Sequence, residues 1–111
     1  MATYLLVYKG GNMPQTDAER AQVMEAWGRW FGGLGQAVVD GGNPFGPSKS
    51  VAKNGSVTDG ASSGLSGYSI LKADTLDAAV KMAKDCPVLL GGASIEVYET
   101  FDVMAAMGSK A

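Results

Sequence analysis

Histidine is missing from all 111 residues of this chain, and cysteine occurs once, as Cys86. The first absence excludes Ser-His-Asp and Cys-His nucleophilic catalysis, the usual zinc sites, and the side chain best suited to moving protons near neutral pH. The second excludes an intrachain disulfide framework and a thiolate metal cluster within one chain. Placed just before Pro87, at an expected helix end, Cys86 reads as a small buried hydrophobe rather than a reactive thiol. No metal and no other cofactor is expected. Any acid–base chemistry falls to Asp, Glu, Tyr or Lys.

Charge is also sparse. Charged residues make up 18% of the chain, the net charge is −2, and no basic run occurs. An electrostatic footprint for nucleic acid or an anionic membrane is therefore lacking, and neither is expected as a partner. No apolar run approaches the roughly 20 residues of a membrane span. Tyr4-Leu5-Leu6-Val7-Tyr8 is too short for a signal peptide and has no charged region before it. A soluble cytoplasmic protein is the expectation. With 46% hydrophobic residues, the chain has enough apolar content for one globular domain, expected over residues 1–100 with a tail at 101–111.

Residues 3–9 alternate with apolar side chains on both faces, as a strand covered on both sides does. Thr16 or Asp17 can N-cap the next helix, with Glu19 or Arg20 about three residues on. That helix, running to about Leu34, gathers Met24, Phe31, Trp27, Leu34, Val23 and Trp30 within an arc of about 120° at 100° per residue. Trp30 lies at the edge of the stripe, where it can reach a ligand or a subunit boundary. Gly28 and Gly32 each cost the helix about 1 kcal/mol in propensity, which close approach to another backbone would offset. Residues 36–40 read as a second strand and residues 68–73 as a third. Asp74 is placed to N-cap a helix over 75–86, in which Leu76, Ala79, Val80 and Ala83 form the apolar stripe. Pro87 stops that helix. Residues 94–100 alternate as a last strand, and the tail is expected to form a short helix over Val103, Met104 and Met107. Gly41-Gly42 and Gly91-Gly92 read as turns, because no Lys-Ser/Thr follows them as in a phosphate-binding loop.

Between the halves lies residues 40–67, too long for a structureless connector in a compact domain. Asn54-Gly55 is the dipeptide favoured by two-residue hairpin loops. Pairing across such a loop sets Ala52 opposite Val57, Val51 opposite Thr58, and Ser50 opposite Asp59. The hairpin is expected to roof a cleft, with a site of Asp59, Ser48 or Ser50, and backbone N–H groups at its base. Turn chemistry is the alternative for both Asp59 and Asp40, since Asp before Gly often bonds its own backbone.

The order βαβ, hairpin, βαβ gives an α+β, ferredoxin-like sandwich with both helices on one face of a four-stranded sheet. Tyr4, Tyr8, Tyr68 and Tyr98, with Leu6 and Ile70, are assigned to the uncovered face. A surface of that kind marks an interface, and a second copy packed sheet to sheet is the economical cover.

Leu5-Leu6-Val7-Tyr8, Met24-Glu25-Ala26-Trp27-Gly28-Arg29-Trp30-Phe31, Val39-Asp40-Gly41-Gly42, Phe45-Gly46-Pro47-Ser48, Thr58-Asp59-Gly60, Gly67-Tyr68 and Ala83-Lys84-Asp85-Cys86-Pro87 occur in an order that resembles the YCII-related family, in its DGPF-domain branch. The resemblance spans residues 3–99 and implies a dimeric α+β barrel. Of the branch's Asp-Gly-Pro-Phe signature only Asp59 and Gly60 are present, followed here by Ala61 and Ser62. The His–Asp pair of other branches has no histidine to match it.

Three functions follow. The first is a homodimer whose cleft binds a small aromatic or polyketide-like molecule through Tyr4, Trp30, Ser48, Tyr68 and Tyr98. The second is a cofactor-free proton-transfer enzyme, an isomerase, lyase or cyclase, with Asp59 or Asp40 as catalytic base and Tyr68 or Tyr98 as donor to an enolate. The third is a non-catalytic interaction protein. A buried Asp40 or Asp59 would favour the enzyme, and solvent exposure of both would count against it.

Overall fold

The computed structural model describes residues 2–12 and 14–103. Its elements are β1 (Ala2–Lys9), α1 (Asp17–Leu34), β2 (Val38–Asp40), β3 (Lys49–Val51), β4 (Val57–Asp59), β5 (Leu65–Ala73), α2 (Leu76–Ala83) and β6 (Ser94–Thr100). Four strands form one antiparallel sheet in the order β2-β5-β1-β6, and β3 and β4 form a separate hairpin. This is the expected α+β arrangement of two helices, a four-stranded antiparallel sheet and an inserted hairpin. Most of the tail helix expected over Val103, Met104 and Met107 lies outside the described residues.

The helix boundaries follow from capping. Thr16 accepts the Glu19 N–H at 3.1 Å, and Glu19 reaches back to the Gln15 N–H at 2.8 Å. Together they make the reciprocal bonds of a capping box at the start of α1. Thr75, not Asp74, caps α2, its hydroxyl accepting the Ala78 N–H at 3.1 Å. That helix ends at Ala83, and Pro87–Gly91 is a short 3-10 turn.

The core lies between the helices and one sheet face. Tyr4, Leu6, Tyr8, Leu71 and Ala73 from the strands pack with Trp30, Ala79, Ala83 and Cys86. Antiparallel register explains the choice: Tyr4 pairs with Leu71 and Leu6 with Ser69, so even positions of β1 share a face with odd positions of β5. Tyr4, Leu6 and Tyr8 therefore face the helices, and only Tyr68, Tyr98 and Ile70 of the expected set lie on the other side.

The stripe on α1 divides along its length. Trp27, Trp30, Phe31 and Leu34 pack on the core, while Val23 is exposed and Met24 is 71% exposed. Residues 17–25 are exposed all round, so the first half of α1 stands clear of the sheet. Trp30 is the most buried residue of α1, and its indole N–H donates to the Met82 carbonyl at 3.0 Å in the last turn of α2. Gly28 and Gly32 face open space rather than another backbone. The tight glycine is Gly42. At φ 78°, its missing Cβ leaves room for the Tyr68 carbonyl where the chain passes β5.

Candidate functional site

The sheet face turned away from the helices carries Thr3, Leu5 and Val7 from β1. From β5 it carries Tyr68, Ile70 and Lys72, and from β6 Glu96, Tyr98 and Thr100. Register places these residues side by side: Leu5 pairs with both Ile70 and Tyr98, and Val7 with both Tyr68 and Glu96. Along β5 burial alternates without a break, with buried side chains toward the helices and half-buried ones on this face. The result is an apolar centre of Leu5, Val7, Ile70, Tyr68 and Tyr98 with charge at its margins. Tyr98 donates to Glu96 at 3.0 Å, and that hydrogen bond, with the carboxylate charge beside it, raises the phenol's pKa.

Two segments meet at one margin. Asp40 ends β2, and its carboxylate accepts the Gly42 N–H at 2.8 Å while facing the Tyr68 hydroxyl at 3.4 Å. The first bond is the Asx-type turn expected of Asp before Gly. The second is longer than a settled O–H···O bond. Phe45 stacks on the Tyr68 ring with centroids 5.9 Å apart, held by its N–H donating to the Ser66 carbonyl at 2.9 Å. Beyond it, Phe45, Pro47, Ser48, Ala61, Gly64 and Leu65 line a depression of about 360 Å³. That volume is within the range of small-molecule pockets, about 300–1,000 Å³.

The hairpin differs from expectation in register and in place. Lys49 pairs with Asp59, Ser50 with Thr58, and Val51 with Val57, one residue away from the two-residue-loop pairing. The loop is Lys53-Asn54-Gly55. Gly55 N–H donates to the Ala52 carbonyl at 2.8 Å, and Gly55 has φ 91°. Its left-handed conformation, together with the Asn54 side chain accepting from both the N–H and the hydroxyl of Ser56, favours a three-residue loop. A one-residue slip moves every side chain to the opposite face, so Val51 and Val57 end up together. Rather than roofing a cleft, the hairpin projects, and residues 51–65 are exposed throughout.

Asp59 stands in the open, with 92% of its side chain exposed and its carboxylate 3.1 Å from the Lys49 ammonium. Ser48 and Ser50 do lie beside the arm's exit, but their groups are spent on the backbone there. The Ser48 hydroxyl accepts the Ala61 N–H at 2.9 Å, its carbonyl accepts the Gly60 N–H at 2.8 Å, and the Ser50 hydroxyl donates to the Gly60 carbonyl at 3.0 Å.

Of the residues picked from the sequence, Asp40 and Tyr68 come together, Ser48 lies on the adjoining depression, and Tyr98 shares the open face. Tyr4 does not join them, being 2% exposed within the core. Trp30 faces a different, shallower depression of about 460 Å³ between α1 and the Pro87–Gly91 turn, where Arg29, Met82, Asp85 and Leu90 also lie. Phe45, Leu5 and Val7 belong to the site and were missed as site residues. Strand parity, read against a buried Tyr4, would have found the last two. Among the described residues no group of three His, Cys, Asp or Glu is placed to hold a metal ion, and no helix is long and apolar enough to cross a membrane. Compared with known proteins, the sequence matches no family model and no curated protein.

Proposed function

We propose that this chain is a ligand-binding homodimer: two ferredoxin-like subunits of YCII-related type, packed sheet to sheet as a dimeric α+β barrel. Between them a cleft takes a small aromatic or polyketide-like molecule. The observation that carries the reading is the apolar centre of Leu5, Val7, Ile70, Tyr68 and Tyr98, on the face opposite α1 and α2. At roughly 25 cal/mol per Å² of apolar surface, covering such a face is favourable, and a self-complementary two-fold contact covers both copies at once. The depression beside Phe45 supplies aromatic and aliphatic walls for a flat ligand. Asp40 and the Tyr68 hydroxyl supply a polar edge.

The proton-transfer reading has less support, because Asp40 and Asp59 are both exposed to solvent. An exposed carboxylate lacks the desolvation that turns such a group into an effective base near neutral pH.

Sedimentation velocity at micromolar concentration should show a dimer. Titration with 2-naphthol, followed by its own fluorescence, should show saturable binding that Phe45→Ala weakens at least tenfold. A monomer at 100 µM, or no saturable binding, would defeat the reading.

A further inference from the structure

We propose that the β3–β4 hairpin is an arm that grips a second copy of this chain, laying its Val51–Val57 pair on the partner. The inference rests on the homodimer reading above and specifies how the copies engage. Val51 and Val57 oppose each other across the hairpin and are 70% and 58% exposed. From 43 to 65 only Ser50 is even half-buried. Two short strands without a third strand or a packed helix are marginal in water, yet this pair is internally well fixed. The turn at Gly55, the Asn54 side chain, the Lys49–Asp59 ion pair and the two serine hydroxyls at the base all brace it. A braced arm with an exposed valine pair and no packing on its own body is suited to an external surface.

A second copy fits better than an unrelated partner for two reasons. Phe45, stacked on Tyr68, brings the root of the arm to the open-face side of the sheet. Apolar surface then runs from Ile70 through Tyr68 and Phe45 to Pro47, so whatever covers the sheet meets the arm as well. Reach is also sufficient. The six residue-to-residue steps from Ser48 to Asn54 extend about 20 Å at about 3.3 Å each, against about 14 Å for the width of four strands. Under two-fold symmetry both arms make the same contact. The arm tip carries Lys53, and the sheet face it would approach carries Glu96 and Asp40 against a single cation, Lys72, which leaves that face net negative.

The test is a Val51→Ser/Val57→Ser double variant, with Val80→Ser on α2 as the control. Dimer dissociation constants come from sedimentation equilibrium. The double variant should dissociate at least tenfold more readily, and the control should match the parent. Amide hydrogen exchange on the unaltered chain gives a second readout, in which protection of residues 50–58 should rise between 1 and 200 µM protein. A parent dimer with an unchanged constant in the double variant and concentration-independent arm exchange would overturn the arm while leaving the dimer. A monomeric parent would overturn both.

Discussion

The phenol of Tyr8 heads a buried line of donors. Its hydroxyl donates to the Ser69 hydroxyl at 2.6 Å, which donates to the Gly41 carbonyl at 2.8 Å. Ser69 is wholly buried, and among the described residues no buried side-chain polar atom lacks a partner. The line fixes the Gly41 backbone, and with it the turn that sets Asp40 beside Tyr68. Burial pushes the Tyr8 phenol well above its ordinary value of 10.0 and raises the Cys86 thiol from 9.0. Both groups are held neutral in the folded chain but ionise at ordinary values once unfolded. Their stabilising contribution is complete below about pH 9 and is lost as pH rises through and beyond 10, where the unfolded state gives up more protons. Urea midpoints should be flat from pH 7 to 8.5 and fall toward pH 11. A Tyr8→Phe/Cys86→Ala variant should show a shallower fall, and equal slopes would show that these groups are not responsible.

At the scale of elements, α1 is two half-helices with different surroundings. Its first half is fixed by the Thr16 cap and stands in solvent. Its second half anchors the core through an aromatic group in which Trp27 lies 5.7 Å from Tyr8 and 5.6 Å from Trp30, ring centre to ring centre. Trp30 also spans two elements through its bond to the Met82 carbonyl, which in the last turn of α2 accepts the Asp85 N–H as well. Trp30→Ala should cost about 3–5 kcal/mol. Met24→Ala, six residues earlier in the same stripe, should fall within about 0.5 kcal/mol of the parent. Chemical unfolding monitored by circular dichroism measures both. Sequence periodicity identifies the stripe but does not reveal how far along it the sheet extends, because that depends on where α1 crosses the strands.

For the whole molecule, one sheet face packs on α1 and α2, and the opposite face is the one the proposed dimer would join. Ile70→Lys, in the middle of the open face, should leave the helical and strand signal unchanged and convert the proposed dimer to monomer in sedimentation velocity. Charge at that position remains solvated in a monomer but would be buried without a partner in a sheet-to-sheet contact, a cost of several kcal/mol. A dimer unaffected by this substitution would place the interface elsewhere.

Local sequence was enough for the order of elements, a cap at Thr16 or Asp17, the end of α1 near Leu34 and a break before Pro87, though α2 ends at Ala83, short of the expected residue 86. Each depends on local chemistry: capping hydroxyls, glycine and proline torsions, and the contrast between periods of 2 and 3.6. The hairpin was legible too, from Asn54-Gly55. Its register was not, since two- and three-residue loops share that dipeptide and differ only in the torsions the chain adopts. Tertiary structure alone decided which side of the sheet the helices cover. β1 is apolar on both faces, so its alternation cannot distinguish Tyr4 and Tyr8 from Leu5 and Val7. Packing of Trp27, Trp30 and α2 against one face puts the first pair in the core, while Leu5 and Val7 turn to the opposite face, where Leu5 is half-buried and Val7 buried within the sheet.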